Sequence, residues 1–149
     1  MRKQFTRRTG RSGTIMVELA LVAPLLLLMV AGGADFARVY FNSVTLSNAA
    51  GAGAFYGSQS NVYSVHDTQM QQVAQNDAND LGAITTSSSH YCDCPNGTKV
   101  DCITGSCPNY GAPRVYVSTH AEKTFKPLLP FPGVPRSVKA GRTAYFRVQ

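Results

Sequence analysis

The 149-residue chain has no tryptophan, and only 15% of its residues are charged. Its 44% apolar content is too high for a mainly disordered chain. No collagen, coiled-coil or tandem-repeat period runs through it, so fibrous and solenoid architectures are excluded. Catalytic signatures are missing as well. His66, His90 and His120 stand apart, at no spacing that a metal site or an activated nucleophile uses. Gly51 and Gly53 have no strand before them, so they are not a phosphate-cradling loop. Asp77 and Asp80 read as helix-surface acids, and Asn96-Gly97-Thr98, formally a glycosylation sequon, reads first as a hairpin turn. These absences point away from an enzyme, a cofactor, a bound metal or a small-molecule substrate.

Acids are also missing from the first thirteen residues, which hold Arg2, Lys3, Arg7, Arg8 and Arg11. The whole chain carries a net charge of +6, but without that leader it carries only +1. The basicity therefore belongs to the leader, and a nucleic-acid partner is not implied. Directly after it, Ile15–Ala34 reads IMVELALVAPLLLLMVAGGA, with Glu18 as its one ionisable group. Twenty helical residues span about 30 Å, the thickness of a bilayer's hydrocarbon core. Basic residues before such a run hold the N-terminus in the cytoplasm, which puts the C-terminal bulk across the membrane. The run exceeds the usual secretory-signal core, although the small residues Ala31–Ala34 leave a signal-peptidase cut as an alternative.

Glu18 is the informative residue. A carboxylate within a membrane helix costs about 2–3 kcal/mol at the centre and less near the edge, and it ordinarily has a partner. Hydration at the interface, helped by the helix dipole, is the simpler account. The sharper one is that removal of residues 1–13 frees an amine at Thr14, which Glu18 of a neighbouring subunit neutralises. Pro24 leaves the carbonyl of Ala20 without its helical donor and predicts a kink that a membrane helix tolerates.

A basic leader, Gly13, a glutamate five residues later and an apolar helix resemble the class III signal of type IV pilins. The longer run from Gly13 through Glu18 and Pro24 to Leu28, then Asp35-Phe36-Ala37-Arg38 and Ser47–Ala54, is similar to the TadE-like proteins. These are minor pilins or pseudopilins of tight-adherence (Flp) pilus systems. Glu18 is followed by Leu19, where major Flp pilins carry tyrosine, which argues against the major subunit. The resemblance implies that a prepilin peptidase, an integral membrane aspartyl protease, cuts between Gly13 and Thr14. It also implies other minor pilins and the tight-adherence secretion machinery as partners. The implied location is the bacterial inner membrane, single-pass, with a periplasmic head and incorporation into or beneath a surface pilus.

Helical spacing continues past Ala34 through Phe36, Val39, Tyr40 and Val44, and no proline follows Pro24 until Pro95. One helix is therefore expected over about 14–57. Ser43, Ser47, Ala50 and Ala54 form one small-residue stripe, and Ala49, Gly53 and Gly57 another, suited to close packing on the chain's own domain or on a neighbour. A second helix is expected from a capping box at Ser64 and Asp67 through Met70, Val73, Ala74, Asp77 and Leu81, ending at Gly82. Strand alternation marks Val115–Ala121 and Val138–Val148, with an extended loop between them at Pro127, Pro130, Pro132 and Pro135. Residues 83–94 offer a third strand, turning at Asn96-Gly97 into 98–102.

Cys92, Cys94, Cys102 and Cys107 predict two disulfides in an oxidising compartment. Cys-x-Cys is not a spacing that structural zinc prefers. A Cys92–Cys94 bond is disfavoured because successive strand side chains diverge, and the other two pairings both stay open. The expected fold is α+β. A leader at 1–13, a transmembrane helix at 14–34 and its continuation at 35–57 precede an extracytoplasmic head at 58–149 with a cysteine-rich hairpin at 92–107. The competing reading is an uncleaved, signal-anchored envelope protein whose periplasmic head binds a ligand or polymer.

Overall fold

The computed structural model describes residues 12–128, 133 and 135–149. The basic leader residues up to Arg11, and Pro130 and Pro132 of the expected extended loop, lie outside the described residues. Helix α1 runs Ser12–Ser58, α2 Asn61–Ser64 and α3 Asp67–Asp77, followed by a 3-10 turn at Asn79–Leu81. Strands β1 Thr85–Asp93, β2 Lys99–Val100, β3 Arg114–Phe125 and β4 Val138–Arg147 form one antiparallel sheet in the order β2-β1-β3-β4. This is the expected α+β plan. The chain divides into two units, one up to Ala37 and one from Arg38 to Gln149.

Helix α1 continues through Pro24, as an apolar helix with no later proline should. It ends where Ser58 Oγ donates back to the Phe55 carbonyl at 2.8 Å, a side-chain bond that competes with continued helix. The second helix is divided. Ser64 does not cap it: Ser64 is the last residue of α2 and donates to the Asn61 carbonyl at 2.8 Å. His66 precedes α3 with no side-chain capping bond, and the capping serine is Ser60, whose hydroxyl accepts the Tyr63 N–H at 3.3 Å. The serine-aspartate spacing failed as a signal because each serine bonded inside its own local turn.

Within the second unit, α1 and α3 lie on one face of the sheet. Leu46, Ala49 and Ala50 pack with Ala74, Ala78, Leu81 and Ala121, while Ala54 meets Met70, Val117 and Val148. Ser47, on one of the small-residue stripes, stays exposed. The rest of the packed face shows why side chains had to be small there. A Cβ on Gly53 would lie 2.6 Å from the Met70 carbonyl oxygen and 2.9 Å from Thr119 Cγ2, and one on Gly57 would strike the Met70 sulfur. Buried Thr119 is satisfied by the Ser88 hydroxyl at 3.0 Å. Lys123 donates to the Leu81 carbonyl at the end of the 3-10 turn, tying that turn to β3. On β4, Ala140 and Ala144 pack on the core and Val148 just beyond it is buried, whereas Arg142 is exposed and Phe146 meets Phe55 edge-on at 6.2 Å.

Two neighbouring glycines give opposite expectations. Gly53→Ala should destabilise the folded unit by about 1–3 kcal/mol, because a rigid backbone oxygen occupies the methyl's position. Gly51→Ala meets nothing within 4 Å and should stabilise by up to about 1 kcal/mol through helix propensity. Denaturant unfolding of the full chain in detergent, followed by circular dichroism, measures both.

Candidate functional site: the exposed helix and the disulfide-tied loop

The helix residues that precede the packed face make no core. The large apolar side chains from Ile15 to Val30 are 44–76% exposed, Val22 being the least and Leu21 the most. The stretch is long and apolar enough to cross a membrane, and none of its most apolar window is buried. That separates it from the core helix of a water-soluble domain, which hides its apolar side chains. Gly13 and Thr14 are helical, one turn below Glu18, so Thr14 and Glu18 lie on the same helix face at four-residue spacing. An amine created at Thr14 would sit at the helix N-terminus, where the dipole opposes a positive charge and a nearby carboxylate offsets that opposition. Glu18 is exposed and has no ion-pair partner among the described residues. Pro24 is likewise exposed on the same apolar stretch.

The second unit carries a loop locked by two disulfides, Cys92–Cys102 and Cys94–Cys107, with Cα separations of 5.2 and 5.6 Å. The pairs interleave along the chain, so the hairpin and the following loop are tied across each other. Sequence spacing left this pairing and its nested rival open; the structure has the interleaved one. The strand pair Cys92↔Val100 brings Cys102 back beside Cys92, and an Asn96-Gly97 turn with Gly97 at φ +84° makes that return possible. With every cysteine oxidised, no thiolate remains to ligate zinc.

Asp101 organises the next turn. Its Oδ1 accepts the N–H groups of Ile103 at 2.9 Å and Thr104 at 2.7 Å, and the Thr104 hydroxyl at 2.9 Å. The Thr104 backbone bond, then the Ile103 bond and the Thr104 hydroxyl, hold the carboxyl below its ordinary range. The sequence signal is an aspartate two and three residues before the amides it caps, a spacing that lies between the cysteines Cys94 and Cys107. On the opposite face of the sheet from α1, Tyr91 and Tyr116 stack at 5.4 Å, with Lys99 5.6 Å from the Tyr91 ring centre. Burial, and then the Asp93 carboxylate, push the Tyr91 hydroxyl above its ordinary value.

The histidines are dispersed. His90 Nδ1 is 3.8 Å from Asp67 Oδ1, and His120 Nδ1 is 2.8 Å from the Thr143 hydroxyl. Among the described residues no group of three His, Cys, Asp or Glu side chains has a geometry to hold a metal.

Two measurements check the loop. Non-reducing peptide mapping should recover Cys92 with Cys102 and Cys94 with Cys107, and replacing Cys94 and Cys107 together by serine should cost about 2–4 kcal/mol of unfolding free energy. Because the folded carboxyl of Asp101 titrates below its unfolded value, its contribution is fully present above the unfolded value and is lost as pH falls through the folded one. The Ile103 and Thr104 amide resonances should therefore report a titration below the ordinary aspartate range, and Asp101→Asn should abolish it.

No curated protein and no solved structure gives a significant match to the chain. A family model does: the model described as TadE-like protein matches residues 13–54. The match covers the exposed apolar stretch, Glu18, Pro24 and most of the small-residue face, and it stops before the sheet. That family is one of pilus-associated structural and assembly proteins, and the exposed apolar helix fits a membrane-anchored member. Over residues 13–54 this chain is similar to the TadE-like family.

Proposed function

We propose that this chain is a minor pilin or pseudopilin of a tight-adherence pilus, acting by association and not by catalysis. One observation carries the reading. Within the TadE-like match, the apolar, uncovered run Ile15–Ala34 holds a single carboxylate, Glu18, one turn after Thr14. The bilayer makes an unpaired carboxylate unfavourable, and an amine freed between Gly13 and Thr14 is the nearest positive group the chain can create. On this reading the leader is 1–13, the membrane helix 14–34, its continuation 35–57 and the head 58–149. A prepilin peptidase removes the leader on the cytoplasmic side of the inner membrane. The apolar helices, bent at Pro24, bundle with other minor pilins under the tight-adherence machinery. The head stands in the periplasm, where four paired cysteines fit an oxidising compartment.

A second reading is favoured by one detail. Gly13 and Thr14 are inside α1, which starts at Ser12, so a peptidase has to unwind the first helical turn before it can cut. If that turn holds, the chain is an uncleaved anchored envelope protein with a binding head.

N-terminal sequencing of protein recovered from sheared surface filaments separates the two. Cleavage gives Thr14 as the first residue, whereas a start at Met1 or after residue 31 overturns the pilin reading. Glu18→Ala should reduce incorporation into filaments at least tenfold while membrane insertion, scored by carbonate extraction, stays at the wild-type level. An anchor without assembly would show no change in either.

A further inference from the structure

Among the described residues the sheet leaves two edges open, and their chemistry differs. β2 covers only the last part of β1. The Cys94 N–H bonds to the Thr98 carbonyl, so even-numbered β1 residues face β2. Beyond the end of β2, Thr86, Ser88 and His90 therefore turn their backbone N–H and C=O groups to an uncovered edge. At the other side, the Val148 N–H bonds to the Val115 carbonyl, so even-numbered β4 residues face β3. Lys139, Gly141, Thr143, Tyr145 and Arg147 turn their backbone groups outward. The β1 edge opens beside a groove of about 350 Å³ lined in part by His90, Tyr91, Asp101 and Ile103, the last 93% exposed.

Charge separates between the same two edges. From Asn61 to Pro113, through α3, β1 and the tied loop, there are five aspartates (Asp67, Asp77, Asp80, Asp93, Asp101) and one lysine. From Lys123 to Gln149 there are six lysines and arginines and no acid, and Glu122 of β3 places a carboxylate oxygen 3.5 Å from Lys139. Open edges are ordinarily kept apart by charge. Here the charges repel only like edges: β4 rejects β4, and the β1 side rejects the β1 side. Unlike edges attract.

We propose that the basic β4 edge of one copy adds as a strand to the acidic β1 edge of a second copy, making a sheet that continues from head to head. The interface is heterologous, since each copy offers a different edge to each neighbour, so it propagates along a row instead of closing as a two-fold dimer. β1 and β4 both run antiparallel to β3, so copies stacked by translation pair in parallel. Arg136 and Lys139 then fall toward Asp77 and Asp80, and Arg147 toward Asp93 and Asp101. The contact is independent of leader removal and of Glu18.

Charge exchange on the full chain in detergent tests it, read by sedimentation velocity at low and high salt. Wild type should associate at 50 mM salt and dissociate at least tenfold at 500 mM. Arg136→Glu with Lys139→Glu should lower association at least tenfold alone, as should Asp77→Lys with Asp80→Lys. Mixed in equal amounts, the two variants present opposite charges to each other again and should recover association. That recovery distinguishes edge pairing from misfolding, since two misfolded variants would not restore one another. Association of either variant at the wild-type level, or failure of the mixture to associate, overturns the proposal. Zero-length carbodiimide crosslinking of mixed isotope-labelled and unlabelled protein should join Lys139 of β4 or the nearby Lys126 to Asp77 or Asp80 of the other copy. Intermolecular crosslinks confined to other aspartates overturn it as well.

Discussion

The second unit depends on how closely two backbones approach. At Gly53 the α1 backbone lies so near the Met70 carbonyl that even a methyl group has no room, and Thr119 of β3 closes the other side. Everything else in the unit is arranged around that approach. Ala49, Ala50 and Ala54 extend the flat face, Met70 fills the space beside Gly57, and Val117 and Ala121 provide the sheet surface beneath. Such a core gains from dense contact over small side chains more than from bulky ones. That is how a chain with a short sheet and no tryptophan builds a stable centre.

The same helix serves two environments, and the change is written in side-chain size. Before the packed face, leucine and valine point outward in every direction, as lipid requires. From Leu46 onward the inward positions shrink to alanine and glycine while Phe41, Val44 and Phe55 remain exposed. The TadE-like match spans this change from Gly13 to Ala54. It therefore includes both the membrane-compatible stretch and the helix face on which the sheet is seated.

Much of this was legible in the sequence because it depends on local rules. Twenty apolar residues, the absence of proline between Pro24 and Pro95, and two-residue alternation in β3 and β4 each mark an element without help from its neighbours. The Asn96-Gly97 turn was equally local. What escaped depended on competition or on distance. Ser64 carries the residue type of a helix cap, yet its hydroxyl bonds backward to Asn61, and Ser60 caps the preceding turn instead. The two stripes of small residues were visible, but which of them faces the sheet depends on where α3 crosses, information held in Met70 and Ala74. Interleaved and nested disulfides differ only in how residues 103–111 return, which the Asp101 turn and the Cys107–Gly111 bridge decide. At the N-terminus the sequence marks Gly13, Thr14 and Glu18 as a group, and the structure adds that all three lie within one continuous helix.

The last residues of the chain have a consequence for biogenesis. The Val148 N–H bonds to Val115, and the Gln149 N–H bonds to Ser58, where α1 ends. Strand β4 and the two residues after it are thus neighbours of both the middle strand and the helix exit, so the unit cannot close until that segment has been made. Until then Ala140, Ala144 and Val148 leave part of the core uncovered. The cysteine loops, spanning 10 and 13 residues, involve far shorter separations and are available to oxidise first. Sequence separation therefore favours closure of the crosslinked loop over the pairing of β4, which completes the packed face.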